Sequence, residues 1–145
     1  MSRATPYSKE ELQPEFRAYL AWLEELRALS TRRAGIPASK HYRAKGLTLY
    51  TRYGTALVQG RACTAICLAN IELEERRRGR GFLTHLMDAV KTAAPSLGVQ
   101  AITVESVLQE KLALWLQRQG LVKYAGWEES HFGNYVLWVS HPGPQ

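Results

Sequence analysis

Between Arg76 and Gly81 the chain reads Arg-Arg-Arg-Gly-Arg-Gly, and the spacing of its apolar residues changes across that stretch. Before it, Ala62 to Glu74 has the alternation of a long strand. After it, Phe82, Leu83, Leu86, Met87 and Val90 recur at helical spacing, in a segment running to about Ala94 that Pro95 and Gly98 end. A strand that turns through two glycines directly into a helix points to an α/β arrangement, because the helix buries its apolar stripe by packing back on the sheet. The turn also suits an anion. Helix N-termini expose unpaired backbone N–H groups and the positive end of the helix dipole, glycines let the backbone approach closely, and Arg78 and Arg80 add charge-assisted donors. Neither GxxxxGK[ST] nor GxGxxG is present, so this is not a P-loop or a dinucleotide-binding fingerprint.

The strand before the turn is irregular. Ile66 and Leu68 are apolar on even positions, Ile71 and Leu73 on odd ones, so the phase slips around Ala69-Asn70. Such a slip reads either as a bulge, which re-aims side chains and leaves backbone groups unpaired, or as a strand buried on both faces.

The rest of the chain orders itself around this unit. Ser8 and Glu11 form a capping-box pattern ahead of an amphipathic helix to Leu29. Its apolar positions are Phe16, Tyr19, Leu20, Leu23 and Leu26, with Glu15, Glu24, Glu25 and Arg27 between them. Pro14 sits in the first turn or splits off a short leading turn. Residues 30–45, with Gly35, Pro37, Arg32, Arg33, Lys40, Arg43 and Lys45, read as a basic loop. Two short strands, 46–52 and 55–59, follow around a turn at Tyr53-Gly54. Beyond the glycine turn come a strand Ala101 to Val107, a helix Glu110 to Gln119 stopped by Gly120, strands Leu121 to Trp127 and Asn134 to Ser140, and a loose tail 141–145. No repeat or linker interrupts the order, which predicts one domain over 1–145 with its core in 46–140.

With 145 residues, 46% of them hydrophobic, the chain is long enough for a single core. No apolar run approaches the roughly 20 residues of a membrane span, and the N-terminus has no signal-peptide character, which places the protein in the cytoplasm. Cys63 and Cys67, if on one strand, stand roughly 13 Å apart, too far for a disulfide. The net charge of +6 suits nucleic acid, a membrane surface or a polyanionic small molecule. His41, His85, His131 and His141 show no metal-ligand spacing, and no metal is expected.

The stretch from Leu73 to Met87, Leu-Glu-Glu-Arg-Arg-Arg-Gly-Arg-Gly-Phe-Leu-Thr-His-Leu-Met, resembles the acyl-CoA-binding motif of the GNAT (GCN5-related) acetyltransferases. That motif is Arg or Gln, two residues, Gly, one residue, then Gly or Ala, before a helix. It fits in two registers, Arg76-Gly79-Gly81 or Arg78-Gly81-Leu83. The second sets Leu86-Met87 on the family's apolar pair, and leaves Leu83 where Gly or Ala is usual. Downstream, Val104 to Gln109 and the helix ending in Gly120-Leu121 are similar to the family's second half. Gln109 stands at its Asn, and Leu116 where many members have a proton-donating Tyr. The resemblance spans roughly residues 46 to 140 and implies a mixed, mostly antiparallel sheet of five to six strands flanked by helices.

The resemblance also implies acetyl-CoA as co-substrate, lying between two parted strands. Amides near Leu73 and Glu75 would hold the pantetheine arm. Those of Arg78, Gly79, Arg80, Gly81, Phe82 and Leu83 would hold the pyrophosphate, with Gln109 opposite. A bulge at Asn70 would present an N–H to the thioester carbonyl. An amine, on a small molecule or a protein, would attack. Glu72 is the first candidate for its base and Glu105 the second. No general acid is evident, since Tyr124 and Tyr135 could serve only if tertiary structure happened to bring them in, and Trp115, Trp127 and Trp138 read as core. Two other functions stay open: a non-catalytic module of this fold that binds a partner protein, and a nucleic-acid binder using Arg76, Arg77, Arg78 and Arg80 with the basic 32–45 loop. Oligomeric state, a homodimer included, is also open.

Overall fold

Ser8 closes the first helix from both directions. Its hydroxyl accepts from the Glu11 amide (3.1 Å), and the Glu11 carboxylate accepts from the Ser8 amide (2.7 Å). The helix, α1 (Lys9–Arg32), runs unbroken through Pro14. The proline neither occupies the first turn nor splits off a leading one, and near the N-terminus it forfeits only one intrahelical bond. The structure, a computed structural model, describes residues 5–126 and 128–140. Trp127, His141 and the tail expected over 141–145 lie outside the described residues.

After α1 come β1 (Ala38–Ala44), β2 (Leu47–Val58), β3 (Arg61–Leu73), a single 3-10 turn Glu75–Arg77, α2 (Phe82–Ala93), β4 (Ala101–Val107), α3 (Glu110–Arg118), β5 (Val122–Gly126) and β6 (Gly133–Trp138). The six strands form one sheet in the order β1-β2-β3-β4-β6-β5. Four of its junctions are antiparallel, and β3 with β4, joined through α2, is parallel. The expected mixed, mostly antiparallel α/β fold is therefore present.

Two expectations are corrected. The basic segment 30–45 is not a loop: α1 continues to Arg32, and residues 38–44 pair along their whole length with β2. As an edge strand, β1 buries only Ala38 and Tyr42 fully and leaves Lys40, His41 and Arg43 in solvent, so its pattern reads as polar. Tyr53-Gly54 is not a turn but the middle of β2. Gly54 is there because the chain entering β1 crosses over it: a Cβ would lie 2.6 Å from the Pro37 Cα, and φ is +152°. The Thr55 amide donates to the Gly35 carbonyl at 3.0 Å on the same crossing. Gly54→Ala should therefore destabilise the fold by more than about 1 kcal/mol, read from the urea midpoint.

One face of the sheet is covered. Leu12, Phe16, Tyr19, Leu23 and Leu26 of α1 and Phe82, Leu86, Met87 and Val90 of α2 pack with Leu49, Ile66, Leu68, Ile102 and Val104. The other face holds a small cluster of Val58, Cys63, Ala65, Ala101 and Val136, to which, among the described residues, no helix contributes. No helix among the described residues is long and apolar enough to cross a membrane.

Candidate active site

The phase slip in β3 is a bulge. Tyr50 of β2 pairs with Ala69 and Thr48 with Glu72, so Asn70 and Ile71 together face the single residue Leu49. Asn70 takes φ +50°, the left-handed conformation that Asn tolerates better than branched residues. The extra residue keeps Ile71 and Leu73 on the same core as Ile66 and Leu68 and leaves Asn70 and Glu72 exposed.

A second irregularity lies on the opposite edge of β3. Its pairing with β4 covers only Ala65–Leu68 against Ala101–Val104. Beyond that rung the strands part, and the β4-facing edge of β3 has no strand partner. The parting opens a groove of about 960 Å³. Its walls are the end of β3, the start of α2, and Gln109, Lys111, Leu112 and Trp115 at the start of α3. The Trp115 indole donates to Thr84 Oγ1 at 3.1 Å and ties the two helices together across the groove.

The glycine turn forms the groove's end. Gly79 (φ +69°) and Gly81 (φ +79°) are both left-handed, and Gly81 is the N-cap of α2. Glycine has no side-chain oxygen to cap the helix, so the first-turn N–H groups keep their capacity for an anion. With α2 starting at Phe82, the buried pair Leu86-Met87 falls one turn in.

The four arginines have separate tasks. Arg77 is buried and makes a bidentate ion pair with Glu15 of α1 (2.7 and 2.8 Å), and it donates to the Lys45 carbonyl (2.6 Å) and the Tyr7 hydroxyl (3.0 Å). Hydrogen bonding to Glu15 first, then contact with Tyr7, raises the pKa of its guanidinium. Arg80 turns away from the groove: Nε donates to the Thr5 carbonyl (2.7 Å), and the guanidinium lies 3.9 Å from the centre of the Tyr7 ring. Arg76 is exposed and paired with Glu74. Arg78 donates through Nε to the Leu73 carbonyl (2.7 Å) and lines the groove.

Of the residues singled out from sequence, Glu72, Leu73, Arg78, Gly79, Gly81, Phe82, Leu83 and Gln109 line this groove. Asn70, Glu75, the Arg80 side chain and Glu105 do not. Leu83, half-buried, packs on the main core. His85 is half-buried, its Nε2 3.1 Å from the Tyr7 carbonyl. Tyr135 is fully buried and donates to the His131 carbonyl. Trp115 and Trp138 are half-buried, each packed against the edge of an apolar cluster.

Glu105 lies on the uncovered face, one residue past the last β3–β4 rung, in a smaller pocket of about 350 Å³. Arg52 of β2 contacts its Oε1, and the Cys67 thiol donates to the same oxygen at 2.6 Å. Tyr124 and Asn134 complete the wall. Burial, then the bond to Glu105, pushes the Cys67 thiol up to about 12. Native Cys67 should therefore react with a disulfide reagent at pH 8 far more slowly than the unfolded chain. The raised value favours the thiol form, so its stability contribution is full below pH 9.0 and is lost as pH rises toward 12.

Glu15, Tyr7, Lys111, Arg52 and Cys67 were not among the site residues read from sequence. Glu15 could have been: it stands three residues after Leu12 and four before Tyr19, on the buried face of α1. Arg52 and Cys67 meet Glu105 only through sheet pairing, which no local pattern records.

No protein-family model matches the sequence, and no curated protein aligns with it. Solved structures do. A chain from Desulfovibrio desulfuricans assigned to the GNAT family acetyltransferases superposes with a TM-score of 0.50 at 16% identity, over 81% of this chain and 77% of that one. A mutant of the AtaT toxin, bound to the C-terminus of the antitoxin AtaR and acetyl-CoA, gives 0.45 at 16% identity over 63% of this chain. The match spans 59% of that toxin, less than two thirds of its length.

Proposed function

Since the chain has the fold of the GNAT superfamily, we propose that it is an acyl-CoA-dependent N-acyltransferase that moves an acetyl group onto an amine. The observation that carries this reading is the α2 N-terminus with no side-chain cap at the end of the groove that the parting of β3 and β4 opens.

The residues present fit such a co-substrate. The first-turn amides of α2, with Arg78 and Lys111, hold a pyrophosphate. The unpaired edge of β3 at Ile71–Leu73 offers backbone groups to an amide-bearing arm, as a neighbouring strand would. Asn70 sets the bulge that turns the chain between the last paired rung and that edge. Bound acyl-CoA supplies the activated acyl carbon. The acceptor, an ammonium at neutral pH, first gives up one proton; its freed nitrogen then attacks that carbon, a C–N bond forms, the C–S bond breaks, and the products are the amide, the CoA thiol and one released proton.

An ammonium has no lone pair with which to attack, so a nearby carboxylate takes one proton from it before the C–N bond forms. We assign this role to Glu105 ahead of Glu72. Glu105 is half-buried at the rung where the strands part, held through Oε1, with Oε2 unbonded. Glu72 is exposed and has no hydrogen-bond partner among the described residues.

Thermal unfolding with acetyl-CoA tests the reading. At a hundredfold excess over Kd, stabilisation of about 2.7 kcal/mol is expected, and it should be absent in the double variant Arg78→Ala/Gly81→Asp. No shift with millimolar acetyl-CoA or free CoA would refute it.

A further inference from the structure

The pocket around Glu105 has a charge arrangement that narrows the acceptor. Arg52 and Glu105 meet through one nitrogen and one oxygen only, Nη2 and Oε1. Arg52 Nη1 and Nε, and Glu105 Oε2, have no hydrogen-bond partner among the described residues, and both side chains are partly exposed, 36% and 26%. Both residues line the same pocket of about 350 Å³. It is floored by Ala65, Cys67 and Thr103, so the couple stands on a floor without further charge, since the Cys67 thiol stays protonated at neutral pH.

An ion pair withdrawn from water in this way adds little to stability, because desolvation offsets its attraction. What it offers is a positive and a negative group, each with its second hydrogen-bonding position unbonded. The complementary ligand carries the same two charges in reverse. A simple amine or a protein lysine would satisfy Glu105 and leave Arg52 without a partner. A polyamine would bring a second positive charge against Arg52. A carboxylate suits the planar Arg52 fork, and an ammonium beside it suits Glu105 Oε2.

Resting on the acyltransferase reading above, we propose that the acceptor is a small zwitterion of the α-amino-acid class, its carboxylate on Arg52 and its ammonium on Glu105. The nitrogen is then held beside the rung where β3 and β4 part. One proton passes from that ammonium to Glu105, and the freed lone pair then forms the C–N bond as the C–S bond breaks. The leaving sulfur takes a second from the nitrogen through solvent, and Glu105 later returns its own to water.

The test is acyl transfer from acetyl-CoA, followed by thiol release, to the common α-amino acids and to the amine each gives on decarboxylation. At least one amino acid should be used with kcat/KM tenfold or more above its matched amine. Arg52→Gln should remove that preference by raising KM for the amino acid and not for the amine, and Arg52→Lys should restore part of it. Equal use of amines and amino acids, or a preference unchanged in Arg52→Gln, would overturn the assignment. Acetyl-CoA binding without transfer to any amino acid would overturn it too, while leaving the cofactor site standing. Absence of acetyl-CoA binding would overturn the parent reading and this one with it.

Discussion

Arg77→Ala should lower the free energy of unfolding by about 3–5 kcal/mol, the usual cost of leaving one partner of a buried ion pair alone. For a chain of this length that is a fall in Tm of roughly 10–20 °C. The loss is large because Arg77 and Glu15 are less than 10% exposed and bond through both terminal guanidinium nitrogens and both carboxylate oxygens. The guanidinium also lies 4.4 Å from the centre of the Phe82 ring, at the first residue of α2. Arg77 thus joins α1, the β1–β2 connection and the start of α2 in one place. Glu15→Ala should cost a similar amount, and the double variant much less than the sum, since the two residues act as one unit. Urea denaturation of the four proteins measures the coupling. Additive single effects would mean that Arg77 acts through its other contacts.

This task for Arg77 explains why the arginine run could be read only in part. Four cations before a helix look alike in sequence, and each was available to an anion. Folding spends Arg77 on Glu15, Arg80 on the Tyr7 segment and Arg76 on Glu74, which leaves Arg78 at the groove. That division weakens the nucleic-acid alternative, since a backbone-tracking surface needs its cations unpaired. The glycine turn itself was legible because its signal is local: a strand period, two glycines and a helix period within 30 residues. The bulge was legible for the same reason, as a slip in the alternation at Asn70. The edge strand β1 was not, because an edge strand with one solvated face lacks the apolar alternation that marks a strand. Gly54 was misread as a turn because glycine permits both a turn and a close crossing, and only tertiary structure distinguishes them. The pocket at Glu105 combines β2, β3, β4, β5 and β6 and has no sequence signature at all.

Glu105→Gln should lower kcat by roughly 10²–10⁴-fold, the range for loss of a positioned proton acceptor. Acetyl-CoA should stabilise this variant as much as the parent, because Glu105 does not line the groove proposed for the co-substrate. Glutamine keeps the size and the acceptor oxygen for the Cys67 thiol and Arg52, so a simple collapse of the pocket is not expected. Glu72→Gln should change kcat by much less, since an exposed carboxylate without a partner is not held in one position. The two variants decide between the carboxylates: a large fall in kcat for Glu72→Gln with Glu105→Gln near parent activity would reverse the assignment and move the acceptor to the Thr48 side of the bulge. The expected order would place the nitrogen on the uncovered face, beside Glu105 at the end of the β3–β4 pairing. In that arrangement acceptor and acyl donor would occupy separate pockets, so neither would have to leave for the other to bind.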